Sequence, residues 1–176
     1  MRILKWLLGI VALLAIVFVG IGMLLPRDVT VARSIEIDAP PEDVFPYVNS
    51  LKATQEWSPW LERDPNVALT YNDIETGVGA AMEWASDEST VGNGKQEITA
   101  STENQSVTTA LDFGDMGLAE ARFLLEPSAG KTIVTWTLDT DMGAGPMGRW
   151  MGLMMDGWVG GDYEAGLANL KSLVEG

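Results

Sequence analysis

The sequence contains no cysteine and no histidine. That excludes disulfide bridges, thiol nucleophiles, Cys/His metal centres and the imidazole general base in one step. Positive charge is also scarce: 176 residues include 11 Lys or Arg against 25 Asp or Glu, a formal net charge of −14. Two of those bases, Arg2 and Lys5, precede a long apolar run, so the rest of the chain has nine bases against 25 acids, a net of −16. Such a surface repels phosphate backbones, which excludes nucleic acid as a partner. There is no internal repeat and no low-complexity tract, and the length suits one domain with a sizeable core.

What is present begins with a leader. Trp6 to Leu25 is twenty residues without a charge or a proline. As a helix it reaches about 30 Å, the thickness of a hydrocarbon core. Arg2 and Lys5 before it favour a cytoplasmic N-terminus, which puts the following domain on the periplasmic or extracellular side. Gly20-Ile21-Gly22 has the small-x-small spacing of a signal-peptide cleavage site, but the run is longer than the ~7–15 apolar residues of such a peptide. The expectation is a retained transmembrane anchor with a short linker over residues 1–28, and one domain over 29–176.

Beyond the anchor, Val29, Val31, Ile35 and Ile37 alternate with Thr30, Ser34, Glu36 and Asp38, the pattern of a half-buried strand. Asp38 to Asp43 reads as a helix start, with prolines early and acids in the first turn. Val44, Phe45, Tyr47 and Val48 give that helix an apolar face, and a second short helix is predicted over Leu51–Trp57. Six strands are then predicted: Val67–Asn72, Val78–Ala85, Lys95–Ser101, Ser106–Phe113, Ala119–Glu126 and Thr132–Thr140. The turns between them are too short for crossover helices, so neighbours must run antiparallel.

The last thirty residues, Pro146 to Glu175, read as one amphipathic helix about 45 Å long. Met147, Trp150, Met151, Met154, Trp158, Tyr163, Leu167, Leu170 and Val174 recur at spacings of three and four, so they form one stripe. The first half of the stripe is crowded with Met and Trp, while Gly157, Gly160 and Gly161 permit a bend or a close backbone approach. Met and Trp there either fill core or wall a cavity.

Several segments carry a specific resemblance. Val31 to Pro40 followed by Glu42-Asp43-Val44-Phe45, then Glu56-Trp57-Ser58-Pro59-Trp60, and finally Gly161 to Lys171, resemble the helix-grip superfamily called SRPBCC. That superfamily embraces START, Bet v 1 and polyketide-cyclase-like domains, and the ending is similar to that of its membrane-anchored bacterial members. The resemblance covers Val29 to Glu175. It implies an α+β helix-grip fold, a curved seven-stranded antiparallel sheet around a long C-terminal helix with a cavity between them. The residues expected to line that cavity are Trp57, Trp60, Met82, Trp84, Phe113, Phe123, Trp136, Trp150, Met154 and Trp158.

Chemical motifs are thin. Asp112-Phe113-Gly114 matches a kinase tripeptide without the rest of the kinase set, and Gly92-Asn93-Gly94-Lys95 lacks P-loop spacing. Asp139-Thr140-Asp141 lacks the later ligands of a calcium loop. Alternation places Glu83 on the face opposite Met82 and Trp84, and makes Glu120 and Arg122 an exposed strand pair. No catalytic residue, metal or cofactor is assigned. The expected function is binding of an apolar small molecule or lipid by a membrane-anchored domain. The alternatives are a cyclase- or dehydrase-like enzyme using cavity carboxylates, and an interaction domain of a membrane complex. Oligomeric state is not readable from the sequence.

Overall fold

Period-two alternation in seven segments builds the sheet that everything else lies on. The computed structural model describes residues 2–176. An apolar helix, α1 (Arg2–Leu24), leads into strand β1 (Asp28–Ile37), helix α2 (Pro41–Val48), a single 3-10 turn at Ala53–Glu56 and the short helix α3 (Pro59–Arg63). Strands β2 (Ala68–Tyr71), β3 (Ala81–Ala85), β4 (Asn93–Thr102), β5 (Ser106–Asp112), β6 (Leu118–Ser128) and β7 (Lys131–Asp141) follow, and helices α4 (Pro146–Gly152) and α5 (Met155–Glu175) end the chain. The order across the sheet is β1-β7-β6-β5-β4-β3-β2, antiparallel throughout, so the first strand closes on the last. A register shift between Ile98 and Ala100 of β4 adds a bulge, which bends and twists the strand locally.

One face of this sheet is dry. Thr132, Val134, Trp136 and Leu138 of β7 are buried, as are Ala121, Phe123 and Leu125 of β6 and Val31 and Ile37 of β1. The buried Thr132 hydroxyl donates to the Ala39 carbonyl at 2.7 Å, which removes the cost of an unpaired polar atom. Helix α2 covers one end with Val44, Phe45 and Val48. Helix α5 runs along β1 and buries Gly160, Tyr163, Gly166, Leu167 and Leu170, a row at helical spacing. Its C-terminal end is pinned by Lys171 Nζ donating to the Glu36 carbonyl at 2.6 Å and by Asp38 N–H donating to Glu175 at 2.7 Å.

Two glycines set how near α5 comes. A Cβ on Gly166 would stand 3.0 Å from Cζ3 of Trp136 and 3.1 Å from Cδ of Pro59; one on Gly160 would stand 2.0 Å from a guanidinium nitrogen of Arg33. Gly157 and Gly161 have nothing within 4 Å. The glycine run therefore admits close approach at its buried member, and the space beside it is filled.

The sequence expectations need three corrections. The single terminal helix is two, separated at Leu153–Met154. A Cβ on Gly148 would lie 1.9 Å from the Met142 carbonyl oxygen, so α4 folds tightly against the end of β7 and takes a course of its own. The second short helix is the 3-10 turn Ala53–Glu56 followed by α3, because Ser58-Pro59 restarts the chain as a new helix with proline in its first turn, which places Trp60 on a helix. Strand β5 stops at Asp112, leaving Phe113 at the hairpin.

Leu167 and Leu170, 1% and 0% exposed, should each cost about 2–5 kcal/mol when cut to alanine, measured by chemical denaturation. The glycines give a finer check of the helix seat. Gly161→Ala, in open space, should stabilise by about 0.5–1 kcal/mol. Gly166→Ala should instead show a net loss, because overpacking at about 1–3 kcal/mol outweighs the same helical gain.

Candidate functional site

Strand β7 presents Trp136 on the dry face, and rings from four other segments converge on it. Tyr163 of α5 stacks parallel to it, ring centres 3.8 Å apart and planes at 8°. Phe123, its cross-strand partner on β6, stacks on it at 4.8 Å with planes at 26°. Trp57 and Trp60, flanking the Ser58-Pro59 restart, meet it edge-on at 5.4 and 5.7 Å. Such stacked and T-shaped pairs contribute about 0.5–1.5 kcal/mol each beyond their burial. Trp57 is held by its own Nε1–H donating to the Tyr47 carbonyl at 3.2 Å, and Asn169 of α5 donates to the Trp57 carbonyl at 3.2 Å. Trp136 is only 6% exposed, and its Nε1–H has no acceptor among the described residues. Burial pushes the Tyr163 hydroxyl far above the usual phenol range, so it stays protonated.

Beside this cluster lies the one cation that the described residues place on the dry face. Arg33 sits across from Trp136 in the β1–β7 register, and its guanidinium passes beneath Gly160. Nε donates to Glu164 at 2.7 Å, and Nη1 donates to Asp156 at 2.8 Å and to the Ala32 carbonyl at 2.9 Å. Its bonds to Asp156 and Glu164 raise the Arg33 pKa, and its guanidinium in turn lowers that of Asp156. The sequence analysis missed Arg33, although the signal was available: it shares the alternation of Val31 and Ile35.

Of the ten expected lining residues, the structure brings Trp57, Trp60, Phe123 and Trp136 together around Tyr163. Met82 is buried on β3. Trp84 and Phe113 form a separate edge-on pair, 5.8 Å apart, in an open rim groove of about 640 Å³ shared with Glu83, Lys95, Asp112 and Met116. Trp84 folds over Gly94 and donates to the Val91 carbonyl at 3.3 Å. Trp150, Met154 and Trp158 lie elsewhere: Trp150 stacks on Phe18 of α1, and Met154 and Trp158 are 46% and 51% exposed. The pattern of threes and fours could not separate the part of the stripe that meets the sheet from the part that meets α1.

The carboxylates lie outside the ring cluster. Glu83 accepts from Lys95 at 2.6 Å and Glu120 from Arg122 at 3.2 Å, both as exposed pairs in line with the alternation. Among the described residues no Asp or Glu is buried, and no group of three His, Cys, Asp or Glu could hold a metal ion.

No curated protein matches this chain. Solved structures share its fold at low identity. The di-domain ARO/CYC StfQ from the steffimycin biosynthetic pathway has a TM-score of 0.63 at 10% identity over 85% of this chain, which spans about half, 51%, of that one. A Thermobifida fusca protein solved by NMR gives 0.62 at 19% identity, over 82% of this chain and 92% of its own. Protein CV1439 from Chromobacterium violaceum gives 0.56 at 17%, over 84% and 97%. The family described as polyketide cyclase / dehydrase and lipid transport matches residues 28–175. That match opens on the first residue of β1 and closes on the last of α5, and so takes in the whole sheet with its gripping helix: the chain belongs to the polyketide cyclase/dehydrase and lipid transport family.

Proposed function

We propose that this is a membrane-tethered domain that binds an apolar small molecule or lipid among the rings around Trp136. Residues 1–28 act as anchor and linker and residues 29–176 as the binding domain, held on the periplasmic or extracellular side. The anchor reading is supported by Ile3–Leu24, a 22-residue helix whose most apolar 18-residue window has mean hydropathy 2.9 and is only 6% buried.

The observation that carries the binding reading is the unpartnered Nε1–H of Trp136. A buried donor without an acceptor costs about 1–3 kcal/mol. The four rings packed on Trp136 leave that cost unrelieved among the described residues. A ligand bringing one carbonyl or hydroxyl oxygen to Nε1 and aromatic or aliphatic bulk to the rings answers both features at once. Trp60, the half-buried outermost ring, is the member that swings to admit it. The mechanism is burial with one orienting hydrogen bond. The acid–base alternative has less to draw on, because the carboxylates all reach solvent and Tyr163 holds its proton.

Fluorene and fluorenone, which differ in a CH2 against a C=O, test this on the full chain in nanodiscs. Fluorenone should bind roughly tenfold more tightly, about 1.4 kcal/mol, through the Nε1 hydrogen bond. Trp136→Phe keeps an apolar ring and should abolish the preference while leaving fluorene affinity within a few-fold. Equal affinity of the two probes for the wild type, or no uptake of either, would show that the ring cluster is only core.

A further inference from the structure

The least charged stretch outside α1 takes no part in the ring cluster. Met142 to Met155 has one charge in fourteen residues, Arg149, and holds five of the nine methionines of a chain that is otherwise rich in acid. One side of this stretch is seated on α1. Trp150 lies flat on Phe18, ring centres 5.3 Å and planes 13° apart, and its Nε1–H donates to the Phe18 carbonyl at 3.1 Å. Arg149 Nη1 donates to the carbonyls of Met23 at 2.6 Å and Leu25 at 3.2 Å, where the C-terminal end of α1 leaves acceptors unpaired. Gly22 makes the contact possible, since a Cβ there would stand 2.7 Å from Cβ of Pro146.

The other side is bare. Met147, Met151, Leu153, Met154 and Trp158 are between 42% and 62% exposed. Met116 and Leu118, at the β5–β6 hairpin, are barer still. The pairings of Asp28 with Asp141 and of Ala119 with Thr140 bring that hairpin to the end of the sheet where the chain leaves α1.

We propose that α4, the Leu153–Met154 turn and the Met116–Leu118 hairpin form a foot that lies in the headgroup–acyl boundary of the bilayer that α1 enters. This rests on the reading of α1 as a membrane anchor. Phe18 is six residues from the end of α1, about 9 Å along the helix. A helix stacked at that level stands at the depth to which interfacial helices sink their apolar face, about 5–10 Å. Tryptophan, here at 150 and 158, is the ring favoured at that level. Charge gives acidic lipid no advantage: at the same end of the sheet Arg27 and Arg122 are paired with Asp141 and Glu120, Asp28 and Asp139 add negative charge, and Arg149 is turned to the α1 carbonyls. The foot therefore takes a zwitterionic surface by apolar insertion.

The test is single-cysteine labelling, which the absence of cysteine from the sequence makes clean. Val11→Cys in α1, Met154→Cys in the foot and Glu103→Cys at the far end of the sheet each carry an environment-sensitive fluorophore, in the full chain reconstituted into phosphatidylcholine vesicles. Quenchers attached to lipid acyl chains should dim Val11 and Met154 several-fold more than Glu103, while aqueous iodide should reach only Glu103. Raised salt should leave the Met154 signal unchanged, and added anionic lipid should not strengthen it. Val11 quenched by lipid with Met154 open to iodide would overturn the foot and leave the anchor standing. Met154 shielded from both quenchers would overturn it in favour of a second copy or a protein partner on that face. Failure of lipid quenching at Val11 would remove the anchor and the foot together.

Discussion

The parallel contact between Trp136 and Tyr163 is the constraint on which the rest of the domain depends. Two large rings 3.8 Å apart fix both the height and the rotation of α5 over the sheet. The bare position 166, one turn further on, fits that height, since a Cβ there would press on Trp136 and Pro59 at 3.0 and 3.1 Å. The same approach drives Pro59 against α5 and sets Trp57 and Trp60 edge-on to Trp136, so the Trp-Ser-Pro-Trp segment is clamped between helix and sheet. Loosening the stack would shift all of these together, because close-packed interiors transmit displacement.

The domain sorts its apolar side chains by kind. Rigid aromatic rings occupy the dry face of the sheet, where a fixed geometry specifies one packing. Methionines, flexible and polarizable, gather on α4 and the turn after it, on a surface facing outward. Arg33 marks the border between the two regions, reaching α5 beneath Gly160 and gripping the helix through Asp156 and Glu164.

Most of the sheet was legible in the sequence, because a half-buried strand must alternate and short turns forbid parallel crossovers. Leu167 and Leu170 were legible for the corresponding reason on a helix. The break at Leu153–Met154 was not. Met147, Trp150, Met151 and Met154 keep helical spacing whether their partner is a sheet or another helix, and period alone does not name the partner. The partner of Trp150 is α1, which hydropathy treats as a separate unit with no surface to offer. The gathering of Trp57, Trp60, Phe123 and Trp136 was readable as a common destination for large rings. How tightly they fill it depends on Tyr163 and Gly166, which the stripe alone could not rank. Arg33 escaped because a charged side chain on an inward position is discounted by habit even when the alternation demands it.

Between the end of α1 and the start of β1 lie three residues, Leu25 to Arg27. Even fully extended they reach only about 10 Å, and they are not free to extend. Arg27 is bound to Asp141 by its side chain and to Met142 by its carbonyl, and the Arg27 guanidinium with the Gly143 N–H holds the Asp141 carboxyl down at about 2. The joint has no slack, and Arg149 and Trp150 brace α4 on the same helix. The domain turns as one piece with α1, like a hand on a locked wrist, so any tilt of that helix is carried undiminished into the sheet.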